Sequence, residues 1–145
     1  PKATRPWQHV LEPLSGYLNL GQSLYKDNNL HGECFNFGPM AKYNHTVEKI
    51  LQDLSRHWNI ENIFKVYKIT DDIKFHEAGL LKLNCDKALF ELKWLPTLDY
   101  KQLINFTGSW YYQFYQKQKN MLDYTLNQVK EYEDLAVDKK LKWAK

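Results

Sequence analysis

The stretch Arg5-Pro6-Trp7-Gln8-His9-Val10 puts a permanent cation and an indole directly before a run whose apolar residues take helical spacing. A guanidinium fork matches two phosphate oxygens, and the free N–H groups of a helix start add donors and positive potential, so this stretch has the chemistry of a phosphate site. Arg5 and Arg56 are the only arginines in the chain, against plentiful lysine, which favours a specific role for Arg5 over a place on a solvated face. Trp7 has the area either to cover a base or sugar or to anchor the helix start in the core. His9 is placed to cap or orient that helix.

Other groups with chemical potential read differently. Tyr115 and Lys119 form a Tyr-x-x-x-Lys pair, a proton-transfer pattern in a dinucleotide fold. Here the pair falls late in an amphipathic helix with no Ser or Thr partner before it, so the match is a coincidence of abundant residue types. Asp71-Asp72 and the carboxylates Glu131, Glu133 and Asp134 lie among polar neighbours and read as solvated. The run Trp110-Tyr111-Tyr112-Gln113-Phe114-Tyr115 resembles a base-stacking platform, yet it wraps the whole circumference of a helix and is better explained by packing on two sides. The six glycines never take the G-x-G-x-x-G spacing that lets a βα turn approach a pyrophosphate. The sequence therefore assigns this chain no catalytic, cofactor-binding or metal-ligating residues, and leaves substrate binding as its chemistry.

The elements that must position these residues follow from periodicity and punctuation. A chain of 145 residues, 43% apolar and 15% aromatic, suffices for one domain with a core. A net charge of +3 is spread along the chain, which argues against a nucleic-acid face. The dense run Lys139-Lys140-Leu141-Lys142 falls in a basic segment over 135–145, expected to be solvated. No apolar stretch approaches the roughly 18 residues of a membrane span, and no export signal is visible. Cys34 and Cys85 read as buried thiols. The first residue is Pro1 and no initiator Met precedes it, so the chain is expected to be a piece of something longer.

Helical spacing of Val10, Leu11, Leu14, Leu18 and Leu24 predicts a helix from Gln8 to Tyr25. Phe35-Asn36-Phe37 alternates as a short strand and stops at Gly38-Pro39. Asn44 or Thr46 caps a second helix carrying Val47, Ile50, Leu51, Leu54 and Trp58. Ile63 to Ile69 is rich in β-branched and aromatic residues and predicts a strand, and Leu80 to Leu83 a shorter extended piece. Asn84 caps a brief helix through Leu92 with Ala88, Leu89 and Leu92 inward, ended by Trp94-Leu95-Pro96. A long helix runs from Thr97 or Asp99 to about Gln118, and a last one from Met121 to about Asp134. The fold class is α+β and helix-rich, about five helices with a few short strands.

Several of these residues occur together, in order, in one known family. Arg5-Pro6-Trp7-Gln8-His9-Val10 through Leu18, Phe35-Asn36-Phe37-Gly38-Pro39, His76-Glu77-Ala78, Leu81-Lys82-Leu83-Asn84-Cys85-Asp86-Lys87-Ala88 and Leu92-Lys93-Trp94-Leu95-Pro96 resemble the C-terminal, substrate-binding part of CDP-glucose 4,6-dehydratases, which are extended short-chain dehydrogenase/reductases. Trp110-Tyr111, Met121, Thr125 and Tyr132 fit the closing helices of that family, so the resemblance runs from Arg5 to about Glu133. The K-A-x-x-x-L-x-W-x-P element is common to many extended members; RPWQHVLEPLSGYL and the HEA and LKL segments favour the CDP-glucose branch.

The resemblance implies a two-part enzyme in which residues 1–145 form a single C-terminal nucleotide-sugar-binding domain. An N-terminal Rossmann domain, absent from this chain, would bind NAD and carry the Tyr-x-x-x-Lys pair. NAD would take hydride from C4 of CDP-glucose, water would leave across C5 and C6, and hydride would return to C6. The product, CDP-4-keto-6-deoxyglucose, leads toward dideoxy sugars of bacterial surface polysaccharide (O-antigen of lipopolysaccharide). The resemblance puts Arg5 on the nucleotide pyrophosphate, Glu77 by the ribose hydroxyls, and Lys74 where siblings carry a phosphate-binding arginine, with His76 beside them and Trp7 on the same wall. Gly79-Leu80 replaces a His-Tyr of this branch and could alter nucleotide contacts. Asn84 for Asp and Lys93 for Gly are structural changes, at a helix cap and a helix end. The implied partners are CDP-glucose and the protein's own Rossmann domain, with no nucleic acid and no membrane, in a cytoplasmic homodimer whose isolated C-terminal part is inactive. Two alternatives stay open: a sibling dehydratase or epimerase acting on a GDP-, dTDP- or UDP-sugar, and a stand-alone interaction module built on the aromatic helix.

Overall fold

Five α-helices and one two-stranded ribbon make up the main regular structure among residues 1–69, 78–117 and 120–144, which the computed structural model describes. The order is β1 (Thr4–Arg5), α1 (Leu11–Lys26), β2 (His45–Thr46), α2 (Val47–Ser55), α3 (Asp86–Leu92), α4 (Tyr100–Tyr112) and α5 (Met121–Asp138), joined by short 3-10 turns. The helix-rich α+β class expected from the sequence is the class observed.

Local signals decide most helix ends. Thr46, not Asn44, caps α2, its Oγ1 accepting from the Lys49 N–H at 3.1 Å. Asp99 and Gln102 form a reciprocal capping box that starts α4. Asn84 Oδ1 accepts from the Asp86 N–H at 2.9 Å, and Lys93 ends α3 in the left-handed region at φ 54°. Val10 holds the N-cap position of α1, and His9 before it orients the start: its carbonyl accepts from the Glu12 N–H at 3.0 Å and its Nδ1 from the Leu11 N–H at 3.4 Å. The helix accordingly begins at Leu11 and not at Gln8.

Four expectations give way to the structure. Phe35-Asn36-Phe37 pairs with no strand among the described residues, although Phe35 and Phe37 turn inward as an alternating strand would. Ile63–Lys65 is a 3-10 turn instead of a strand, because Asn62 Oδ1 accepts from the Phe64 N–H and the Asn62 carbonyl from the Lys65 N–H. Leu89 is exposed, since on a helix this short Ala88 and Leu92 alone take the inner face. Cys34 is an exposed free thiol, whereas Cys85 is half-buried and burial raises its pKa. The extended piece after Leu80 makes a single parallel bridge, Leu80 to Thr4.

The basic end of the chain folds back onto the core. Helix α5 continues to Asp138, and Lys139 donates to the Thr97 carbonyl and to Gln102 Oε1. Trp143 stacks on Tyr132 at 5.8 Å and touches both apolar clusters of the core. One cluster joins Leu30, Phe37, Ala88, Leu92 and Trp94; the other joins Leu98, Phe106 and Tyr132. Gly16 permits the first: a Cβ there would stand 2.3 Å from the Phe37 ring.

Between the two clusters lies a buried carboxylate. Glu12, in the first turn of α1 and 2% exposed, accepts from the backbone N–H groups of Thr97 at 2.9 Å and Leu98 at 2.6 Å and from the Tyr132 hydroxyl at 3.0 Å. Ser15 continues the network, accepting from the Trp94 indole N–H at 3.0 Å and donating to the Glu12 carbonyl at 2.8 Å. Burial raises the Glu12 pKa, while hydrogen bonds from Leu98, Thr97 and Tyr132 act in the opposite direction. Glu12→Gln puts an amide N–H₂ against one of those donors and costs about 2–3 kcal/mol in urea unfolding at neutral pH. A carboxyl whose pKa rises on folding stabilises the fold fully below its unfolded value and loses that contribution as pH climbs through the folded one. The wild-type advantage over E12Q therefore shrinks as pH rises through the raised carboxyl range, read from urea midpoints across a pH series.

Candidate functional site

Arg5 is positioned by strand pairing on two sides. Antiparallel pairing sets Thr4 opposite Thr46 and Arg5 opposite His45, while the Thr4 N–H donates to the Gly79 carbonyl at 2.9 Å. The Arg5 guanidinium donates through Nη1 to the Thr4 carbonyl at 2.7 Å and to the Ala78 carbonyl at 3.0 Å. Ala78 directly follows Glu77 in the chain. Lys74, His76 and Glu77 themselves lie outside the described residues.

Trp7 faces another way. Its indole N–H donates to the His45 carbonyl at 2.8 Å, and its ring lines an internal crevice of about 20 Å³ with Gln8, Glu12, Tyr43, His45 and Tyr100. Arg5 instead lines a cleft between the 39–44 loop and the 81–83 segment, which Trp7 does not reach. The sequence placed the two residues on one wall; the structure puts Trp7 behind that wall, clamping β2 against the start of α1.

Behind the ribbon lies a polar network the sequence reading passed over. Asp53 on α2 accepts from Lys49 Nζ at 3.0 Å and the Tyr100 hydroxyl at 2.7 Å, and pairs with Arg56 at 3.3 Å. The His45 ring stacks on Tyr100 with centroids 3.5 Å apart. Thus β2, and through it Arg5, is fixed to α2 and α4. Burial works against charge on Asp53, but the Tyr100 and Lys49 hydrogen bonds with the Lys49 and Arg56 charges outweigh it, and the carboxyl titrates below its usual range. Burial and the Asp53 contact push the Tyr100 hydroxyl well up. Burial lowers the His45 pKa, partly offset by Asp53. The signal for this network was present in the spacing of Lys49, Asp53 and Arg56 at i, i+4 and i, i+7 on one helix face.

The aromatic run bends as it leaves α4. Residues Gln113–Lys117 form a π-helical turn, with Trp110 stacked on Phe114 at 5.4 Å and Tyr111 on Tyr115 at 6.3 Å. Trp110 also donates to Thr125 Oγ1 at 2.9 Å, while Tyr111, Phe114 and Tyr115 stay exposed. The run thus packs on two sides, on α5 through Trp110 and on Trp58 through Tyr112 with ring centroids 6.0 Å apart, and its remaining rings face outward. Among the described residues no helix is long and apolar enough to cross a membrane.

With this geometry in hand, comparison with known proteins is informative. No family model matches the chain. Over 96 residues it is 41% identical to the CDP-glucose 4,6-dehydratase of Salmonella typhimurium. The chain resembles a CDP-glucose 4,6-dehydratase. The matched region is 66% of this chain and 26% of the relative, so the chain corresponds to about a quarter of that protein's length.

Asp53→Asn leaves Lys49 and Arg56 without their shared partner and lowers stability by about 1–3 kcal/mol at neutral pH. A carboxyl whose pKa falls on folding contributes above its unfolded value and loses that contribution as pH drops through the folded one. Urea midpoints of wild type and D53N are therefore expected to converge toward acid pH, opposite in direction to the E12Q pair.

Proposed function

We propose that this chain is the CDP-sugar-binding, C-terminal part of an NAD-dependent CDP-glucose 4,6-dehydratase. The observation that carries the reading is the 41% identity over 96 residues to a dehydratase of that name. The placement of Arg5 supports it: its guanidinium bonds the carbonyl of Ala78, the residue that follows His76-Glu77 in the sequence. In this reading Arg5 contacts the pyrophosphate, Glu77 accepts from the ribose hydroxyls, and Lys74 and His76 add positive charge. Trp7 holds the wall from behind. NAD, when bound, supplies the hydride acceptor, and its binding groups belong to an N-terminal Rossmann domain outside these residues. The whole protein is then a cytoplasmic homodimer acting on the route to bacterial surface dideoxy sugars.

The test is turnover by the full-length protein with CDP-glucose, dTDP-glucose, UDP-glucose and GDP-mannose. CDP-glucose is expected to have the highest kcat/KM, and a GDP preference would defeat the assignment. The isolated 145 residues are expected to show no turnover and no NAD binding; activity in that fragment would overturn the two-part reading. Arg5→Lys keeps the charge but loses the fork, and is expected to raise KM for CDP-glucose about tenfold with little change in kcat.

A further inference from the structure

The cleft that Arg5 lines continues past it. Pro39, Met40, Ala41, Lys82 and Leu83 line both the Arg5 cleft and an adjoining cavity of about 400 Å³ that reaches Asn84, Leu89, Trp94 and Pro96. The two form one groove between the loop after Gly38 and the segment 81–86. Gly38 lets its walls close, because a Cβ there would sit 3.0 Å from Leu83 Cδ1 and 3.2 Å from Cys85 Sγ. The wide part is lined mainly by apolar groups, with Lys82, Asn84 and Asp86 as its hydrophilic side chains, and is of a size typical for a small-ligand site.

Its cations are at one end. Arg5 lines the narrow part, and Lys82 lies where the two parts join. Lys82 is exposed and makes no hydrogen bond or ion pair with any described residue. The contrast with the α2–α4 cleft is instructive. There Lys49 and Arg56 are already committed to Asp53, and Asp99 and Glu131 line the same space. Asp99 and Glu131 would compete with an anion there, whereas the groove has one lining carboxylate, Asp86, and Lys82 pairs with no acid among the described residues.

We propose that Lys82 is a second phosphate-binding residue of the substrate site, and that the groove between Pro39–Ala41 and Lys82–Cys85 takes the nucleoside end of a nucleoside diphosphate. The proposal rests on the nucleotide-sugar reading given above. The diphosphate lies between Arg5 and Lys82, and the base lies along the apolar part, against Met40 and Leu83. Lys82 acts as a point charge, so its contribution falls with ionic strength and depends on phosphate being present.

The test compares Lys82→Gln and Lys82→Arg in the full-length protein, with CDP and cytidine as competitive inhibitors of CDP-glucose turnover. K82Q is expected to weaken CDP about tenfold, to leave cytidine within about twofold, and to raise KM with kcat nearly unchanged, while K82R restores most of the loss. Equal CDP inhibition of wild type and K82Q overturns the Lys82 assignment alone. Equal weakening of CDP and cytidine by K82Q also overturns it, since that pattern reports a reshaped groove and not a lost phosphate contact. A wild-type protein that turns over no CDP-glucose and binds no CDP overturns the nucleotide-sugar reading together with the Lys82 assignment.

Discussion

Everything in this fold leans on one buried carboxylate. Glu12 takes hydrogen bonds from the backbone before α4 and from Tyr132 on α5, so a single side chain of α1 sets the relation of three helices. A charge this deep is tolerated because its acceptor sites meet donors, and because Thr97 and Leu98 have no helical partners for their N–H groups. The carboxylate thus solves the problem of the chain entering α4 as well as its own. The Ser15–Trp94 bond extends the same network into the first apolar cluster, and Trp143 closes it from the far end of the chain.

The candidate binding wall depends on that arrangement at one remove. The wall is a two-residue ribbon, too short to be stable by itself. It holds its place because His45 is pinned by Trp7 through its carbonyl and by Tyr100 through its ring, and because Asp53 fixes Tyr100 to α2. Arg5 is therefore presented on a rigid support although it belongs to an N-terminal strand. The guanidinium reaches the Ala78 carbonyl, so Arg5 joins the support to the segment that starts at Ala78. The groove leading away from it runs between backbone segments kept close by Gly38.

The aromatic run at the end of α4 illustrates how one element serves two environments. Trp110 is tied to α5 through Thr125, while Tyr111, Phe114 and Tyr115 present rings outward on a π-helical turn. The change of helical pitch redistributes large side chains that a straight α-helix would scatter around its circumference.

The sequence by itself determined whatever depends on near neighbours. Thr46 and Asp99 cap helix starts, Asn84 and His9 bond the first backbone N–H of theirs from just before it, and apolar spacing marked the five helices. The resemblance drawn from Arg5 to about Glu133 was equally readable in order and spacing, and the 41% identity over 96 residues agrees with it. Tertiary structure decided what depends on distant partners. A strand needs a neighbour, so Phe35-Asn36-Phe37 and Ile63 to Ile69 had strand composition without strand pairing, and the latter yielded to an Asn62 turn. Trp7 and Arg5, two residues apart, line different spaces, Trp7 through its bond to the His45 carbonyl and Arg5 through its bond to the Ala78 carbonyl. Glu12 carries no local signal of its role, because the backbone it holds is 85 and 86 residues away. Its role comes from desolvation and a meeting of donors that no local pattern encodes.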